Sequence, residues 1–338
     1  MLLKRGKHVW FVAAAALCAA GFAAAVAVGG AAGERCGEHR CAGKTTTERS
    51  REHRTSTRKA TTTTKTTTTQ KASGAASATA SSQILFNGGF ETGSYAPWLP
   101  PQCHNYANTK DNGQVHFGTF SVDSSGVGQG RYGGRFTVPA WSGGRTRCEV
   151  LTQRTVNVGG DDYYALMVNF PAGWSPGTKV FWGVNMVQLN WEGFPGAPVD
   201  LQAHSDHVTV ALQTGACGTT CQYRSNAEAS NPNLPNLYAI PRPMQLGVWH
   251  ELVVHVHWAT NSSGQVEVWH RIKGQSAWTK TASLSGYPTL ATSPSGSYPT
   301  HTADKIGVYR PNSYAPTTLL MDGFTRSGSF ATASGSLP

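Results

Sequence analysis

From residue 84 onward the sequence predicts an all-β fold, a sandwich or a barrel. Two observations carry this. Short runs of alternating apolar and polar residues succeed one another at even spacing, each bounded by Gly, Pro, Asn or Ser clusters. No long stretch shows the 3.6-residue periodicity of an amphipathic helix. In chain order the runs are "RCEVLTQRTVNV" from Arg147, "YYALMVNF" from Tyr163, "KVFWGVNMVQLNW" from Lys179 and "HVTVALQ" from His207. "HELVVHVHWATNSSGQVEVWHRI" from His250 reads as a hairpin with its turn at Asn261 to Gly264, and "KIGVYR" from Lys305 closes the series. Roughly 255 residues are enough to bury a two-sheet core. The ten tryptophans, mostly in or beside strands, suit an aromatic core together with an aromatic ligand face.

The chain before residue 84 is different material. Lys4, Arg5 and Lys7 precede an uncharged run from Val9 to Gly33, long enough to span a bilayer but rich in Ala and Gly. For residues 1–33 a signal peptide and an uncleaved anchor both fit, and either exports the rest of the chain. Residues 34–83, with the Thr-, Lys- and Arg-rich stretch Lys44 to Ser82, have almost nothing to bury and read as a disordered linker, whether a spacer across a cell wall or a passive tether. The chain carries 28 Lys+Arg and 18 Asp+Glu; 13 and 4 of these precede residue 84, leaving 15 and 14 for the predicted domain, 84–338. The excess of positive charge therefore belongs to the tail and gives no reason to expect a nucleic-acid partner. The expected location is secreted or cell-surface, with membrane contact only through the N-terminal segment, and the domain is expected to be a monomer.

Seven cysteines fit an exported chain. Cys18 lies in the apolar run, and Cys36 and Cys41 lie just beyond it. The even number in the domain suggests two disulfides: Cys217–Cys221, stapling the tight loop "CGTTC", and Cys103–Cys148. The spacing is wrong for a zinc ribbon or finger.

Alternate residues of a strand share a face. Arg145, Arg147 and Glu149 oppose Cys148 and Val150; Gln188 shares a face with Asn190; Asp200, Gln202 and His204 oppose Leu201 and Ala203; Glu251, His255 and His257 oppose Val254 and Val256; Lys305 and Tyr309 oppose Ile306 and Val308. An ordinary solvated face favours Thr, Ser, Lys and Glu. Here Arg, Gln, Asn, His and Tyr recur, side chains that bind planar carboxylates and hydroxyls. Gly307, between Lys305 and Tyr309, reads as a bare spot that lets a sugar ring approach the backbone.

These residues resemble a known family pattern. "RCE" (Arg147, Glu149), "QLN" (Gln188, Asn190), "WHELVVHVHWATNSSGQVEVW" and "KIGVY" (Lys305, Gly307, Tyr309) stand in the order found in polysaccharide lyases with a concanavalin-like β-jelly roll, the heparin lyase I-like, glucuronan lyase and alginate lyase types. The likeness covers most of residues 84–338 and implies a jelly-roll sandwich of two antiparallel sheets. It also implies a carbon–oxygen lyase that cleaves an anionic, uronic-acid-containing polysaccharide by β-elimination, removing the proton at C5 and expelling O4. Where alginate lyases have Gln-x-His this chain has Asn190, so no histidine base transfers there; His204, on the next polar face, is the alternative imidazole. On the resemblance, Tyr309 is the acid/base. Gln188, Asn190 and Arg147 neutralise the substrate carboxylate, Lys305 assists electrostatically, and Arg145, Glu149 and His204 join the binding surface. Lys305 and Tyr309 are four residues apart, roughly 13 Å at strand rise.

No cofactor is expected to be required. A structural Ca²⁺ could be held by Asn87, Glu91 and Asp322 if the first and last strands lie side by side, as is common in related jelly rolls. His255 and His257 offer two metal-ligand types with no third evident. The competing class is a non-catalytic, lectin-like glycan-binding module on the same fold. A glycoside hydrolase needs paired carboxylates, whereas Glu149, Glu192, Glu251 and Glu267 are isolated.

Overall fold

The structure, a computed structural model, describes residues 83–103, 118–140, 146–176, 183–191, 196–218, 221–225, 237–310 and 315–338. The strands in chain order are β1 (Ile84–Asn87), β2 (Leu99–Gln102), β3 (Thr119–Asp123), β4 (Gly133–Val138), β5 (Thr146–Thr155), β6 (Asp161–Asn169), β7 (Val184–Trp191), β8 (Val199–Ala203) and β9 (Val208–Cys217). They continue with β10 (Cys221–Ser225), β11 (Tyr238–Ile240), β12 (Trp249–His257), β13 (Gln265–Ile272), β14 (Thr279–Ser285), β15 (Ala291–Thr292), β16 (His301–Arg310) and β17 (Thr317–Ser327). One helix comes after them, α1 (Phe330–Gly335).

Two sheets form the sandwich. One has the order β14-β13-β12-β6-β17-β4-β3, with β1 also paired to β17; the other has the order β10-β9-β8-β7-β16-β5-β2, with β11 and β15 also paired to β9. Every pairing in the second sheet is antiparallel except the two-residue β15 against β9. The first sheet is antiparallel throughout. This is the predicted jelly-roll sandwich of two antiparallel sheets. The first and last strands do lie side by side, Phe86 opposite Arg326. The hairpin of β12 and β13 pairs in register from His250–Ile272 to His257–Gln265.

The core between the sheets is what the alternation demands. Cys148 and Val150 of β5, Leu201 and Ala203 of β8, Val254 and Val256 of β12, and Ile306 and Val308 of β16 are all buried in one apolar cluster. Each large aliphatic side chain, fully buried, contributes about 1.5–3 kcal/mol. Strand β2 carries no sequence signal, since its "LPPQ" contains two prolines. It sits at the edge of its sheet, where missing N–H groups cost least. The disulfide Cys103–Cys148 ties its end to β5, and Cys217–Cys221 joins β9 to β10. The short helix is also illegible in the sequence, being too brief to show a helical period. Ser329 caps it by accepting from the Thr332 N–H, and Phe330 packs against Trp269 and Trp278. No helix among the described residues is long and apolar enough to cross a membrane. Residues 1–33 and the linker as far as Ser82 lie outside the described residues.

A group of charges is buried between the sheets. Arg154 of β5 donates to Asp162 and to the Tyr164 hydroxyl of β6 and lies 3.5 Å from Asp304 of β16. Arg326 of β17 donates to Asp304 at 3.3 Å, and the Trp258 indole N–H donates to Asp162 at 2.8 Å. Two guanidiniums thus match two carboxylates across the interior. Removing one member strands the others, so Arg154→Met is expected to lower the unfolding free energy by about 3–5 kcal/mol, measured by denaturant titration. A loss below about 1 kcal/mol would show that the network contributes little.

Candidate active site

On the β10-to-β2 sheet the positions that alternate with the apolar core residues lie on the face turned away from the core, and strand register decides which of their polar side chains meet. Tyr309 of β16 stands directly opposite Arg147 of β5 and, on its other side, opposite Asn185 of β7. Asn185 pairs with Gln202 of β8, Gln202 with Thr209 of β9, and Thr209 with Tyr238 of β11. One row therefore crosses six strands: Arg147, Tyr309, Asn185, Gln202, Thr209, Tyr238. A second row runs Lys305, Gln188, Asp200 and Ala211. Between the rows, Glu149 pairs with Gly307 and Gln102. Directly paired side chains on one face approach within about 5 Å at Cβ.

Five of the sequence-predicted residues are thus brought together: Tyr309 with Arg147, Lys305 with Gln188, and Glu149 between the two pairs. Arg147 and Tyr309 are half-buried, while Glu149, Gln188 and Lys305 are buried. Burial pushes the Lys305 ammonium down to about 8, with Arg147 adding to the effect and Glu149 and Asp200 opposing it. Burial raises the Glu149 carboxyl against the pull of Lys305 and Arg147. Asp200 is held well above the usual carboxylate range, first by burial and then by Glu149, although the Gln213 and Gln188 amides and Lys305 favour its anion. Lys305 therefore lies in the field of two acids, and Glu149 faces two cations.

The remaining predicted residues are placed differently. Asn190 sits at φ 60, and its N–H donates to Asp304 Oδ1 at 2.9 Å while its side-chain oxygen accepts from the Thr302 hydroxyl. It is held to the interior side of β16, away from the row containing Gln188. His204 lies past the end of β8 in the turn to β9, stacked on His207 at 4.4 Å with Nε2 3.3 Å from Thr209 Oγ1. Burial, then His207 and Arg242, push it down to about 4. Arg145 lies outside the described residues.

Gly307 requires a correction of reason. It adopts φ 139, and a Cβ there would lie 2.3 Å from the Cys148 carbonyl oxygen and 3.0 Å from the Phe136 ring. Neighbouring backbone and a core ring demand the glycine, rather than the approach of a sugar. Asn185 escapes the sequence reading because β7 has an irregularity between Asn185 and Val187 that interrupts the alternation. The available signal was the adjacent pair Met186 and Val187, both buried, which a regular half-buried strand does not allow.

The oxygens expected to hold calcium are met by main-chain donors. Asn87 Oδ1 accepts from the Gly89 N–H and Glu91 Oε2 from the Arg131 N–H. Asp322 Oδ2 accepts from the Gly128 and Gln129 N–H groups, and Oδ1 from Gly323. On the same sheet, His255 lies between Asp161 (2.8 Å) and Glu267 (3.1 Å), and His257 also contacts Asp161. No group of three or more His, Cys, Asp or Glu side chains arranged to hold a metal occurs among the described residues. These oxygens do not fit a cation cage.

Residues 90–325 match the family described as Polysaccharide lyase, and the chain belongs to that family. It is accordingly a lyase acting on polysaccharides. No curated protein matches the sequence. Among solved structures, the endo-β-1,4-glucuronan lyase from the fungus Trichoderma reesei is similar at 17% identity and TM-score 0.49, covering 74% of this chain and 98% of that one. A marine alginate lyase from Aplysia kurodai is similar at 11% identity and TM-score 0.44, covering 73% and 100%. An alginate lyase from Chlorella virus has 12% identity and TM-score 0.34, covering 73% and 100%. The family match carries the assignment.

Burial raises the Asp322 carboxyl to about 6 despite its three main-chain donors. A raised folded-state value means that the group's stabilisation is complete below its unfolded value, near 3.8, and is lost as pH rises through about 6. Asp322→Asn cannot titrate. Its melting temperature relative to wild type is expected to improve between about pH 4 and about pH 7, by the equivalent of about 3 kcal/mol at most. A gap that stays constant with pH would contradict this.

Proposed function

We propose that the domain cleaves a uronic-acid-containing polysaccharide by β-elimination. The observation that carries this reading is the pairing of Tyr309 with Arg147 across β5 and β16, beside the pairing of Lys305 with Gln188. The C5 proton of a uronate is a very weak acid while the adjacent carboxylate keeps its charge. Fixed donors that neutralise the carboxylate stabilise the enolate-like charge as it develops, and they need no reorganisation to do so. Arg147 serves as the cation for that carboxylate, with Gln188 and Asn185 as amide donors. Asp200, the cross-strand partner of Gln188, sets the direction of that amide. Glu149 orients Arg147 and Lys305.

Tyr309 is the proton carrier. Its oxygen takes the C5 proton, the C5–H electron pair forms the C4=C5 double bond, and the C4–O4 bond breaks with its electrons on O4. The departing O4 then receives a proton from Tyr309. Water is not consumed, and the new chain end carries the double bond. A nearby cation favours the tyrosinate that begins the cycle, and the cross-strand Arg147 is positioned in register to supply it. The two disulfides support the expectation that the domain works outside the cytoplasm.

Tyr309→Phe is expected to lower kcat by about 10²–10⁴-fold with little change in KM, read from ultraviolet absorbance of the new double bond on glucuronan, alginate and heparin. Full activity in the variant would remove Tyr309 from the role. Wild-type silence on every polyuronate tried would favour a glycan-binding module. The charge on Lys305 predicts a pH effect as well. Wild-type kcat/KM should fall above about pH 8, where this ammonium loses its proton, and Lys305→Arg should carry the fall to higher pH. An alkaline limb unmoved by the substitution would show that some other group sets it.

A further inference from the structure

The row through Tyr309 does not stop at β7. It continues through Gln202 and Thr209 to Tyr238, four strand spacings from Tyr309 and therefore roughly 19 Å away. A polysaccharide laid along this row would reach β11 several sugar units from the scissile bond. The structure at that end comes from β11 and from the turn between β8 and β9. Arg242 lies just past β11, with its Nε 3.1 Å from His207 Nδ1 and one Nη 3.2 Å from His207 Nε2. His207 contacts the Tyr238 ring edge-on at 5.4 Å, stacks on His204, and is held by Asp206 at 2.6 Å. The Arg242 guanidinium lies 6.0 Å from the Tyr238 ring centre and 3.6 Å, through Nε, from Asp206. His207 is buried, so the pedestal is fixed, yet the Arg242 side chain is 51% exposed. Asp206 and His207 occupy the Nε edge of the fork and one Nη; no hydrogen bond engages the other Nη among the described residues.

We propose that Arg242 forms an outlying subsite that binds the carboxylate of a uronate residue several sugars along the chain from the one being cleaved, with Tyr238 as the wall against which that sugar lies. The proposal rests on the uronate reading above and adds a direction to it: the polymer crosses the strands from β5 toward β11. The chemistry selects an acidic sugar. A planar, permanently charged fork held on a rigid ring is matched to a carboxylate, and an aromatic ring half-exposed beside it supplies the apolar contact a pyranose needs. Because the subsite lies far from the reacting atoms, it adds binding energy for long chains without entering the elimination.

The test is Arg242→Ala, with Arg242→Lys as the variant that keeps the charge and loses the fork. On a long polyuronate the alanine variant is expected to raise KM about tenfold, with kcat unchanged, the loss of a single charge-assisted hydrogen bond at a partly exposed site. The lysine variant should fall between it and wild type. On an oligouronide just long enough to be cut, the three proteins should not differ. An unchanged KM on the polymer, or an equal rise on the short oligomer, would overturn the proposal. Calorimetric binding of the polymer separates this from the reading it rests on. If wild type cleaves nothing, the elimination fails, but weaker binding by Arg242→Ala still supports the subsite and equal binding refutes it.

Discussion

Arg154 and Asp304 set the terms for the rest of this fold. Buried charges cannot be left unmatched between two sheets, and these two find partners only when β5, β6, β16 and β17 are all in register. Asp304 reaches one strand further, accepting from the Asn190 N–H of β7. The same interaction that joins the sheets therefore fixes β16 against both of its neighbours. Lys305 and Tyr309 come after Asp304 on that strand, so the network that closes the interior also aligns the outer face. Asn190 belongs to this clamp; its positive φ is the backbone geometry of a residue whose N–H and side chain both turn to β16.

The outer face then works by division of labour. Its floor consists of buried acids, amides and an ammonium: Glu149, Asp200, Gln188, Asn185 and Lys305. The three ionisable members are each shifted by burial and by one another. Arg147 and Tyr309 are the half-buried members that a substrate can touch. Such a floor is costly to desolvate; under the proposed elimination its fixed dipoles would need no rearrangement as charge develops on the bound sugar. The disulfide Cys103–Cys148 secures β5 at this point, on the residue between Arg147 and Glu149.

Much of this was legible in the residues and some was not. Alternation is a local property, so the faces of β5, β8, β12 and β16 could be assigned from the sequence, and with them Arg147, Lys305 and Tyr309 as members of polar faces. Asn185 faces outward and Asn190 inward because β7 is irregular twice, between Asn185 and Val187 and again opposite Ala303 and Lys305, where Asn190 takes a positive φ; a bulge is decided by what the neighbouring strands require. His204 looked like a site imidazole because its face was right, but it lies in the turn and is spent on stacking and on Thr209. Gly307 was read correctly as special and for the wrong reason, since the atoms that exclude a side chain belong to β5 and to Phe136 of the other sheet.

The sequence alone determined the all-β class, the hairpin of β12 and β13, the two disulfides and the side-chain types available for carboxylate chemistry. These come from short-range rules: the two-residue period of a strand, turn residues at their positions, and cysteines in an exported chain. Only the tertiary structure decided which polar residues share a row. Tyr309 meets Arg147 across 162 positions of sequence, and Arg242 reaches the end of that same row, because hydrogen-bonded register is a property of paired strands. A single strand carries its own alternation but holds no record of which residue will lie opposite.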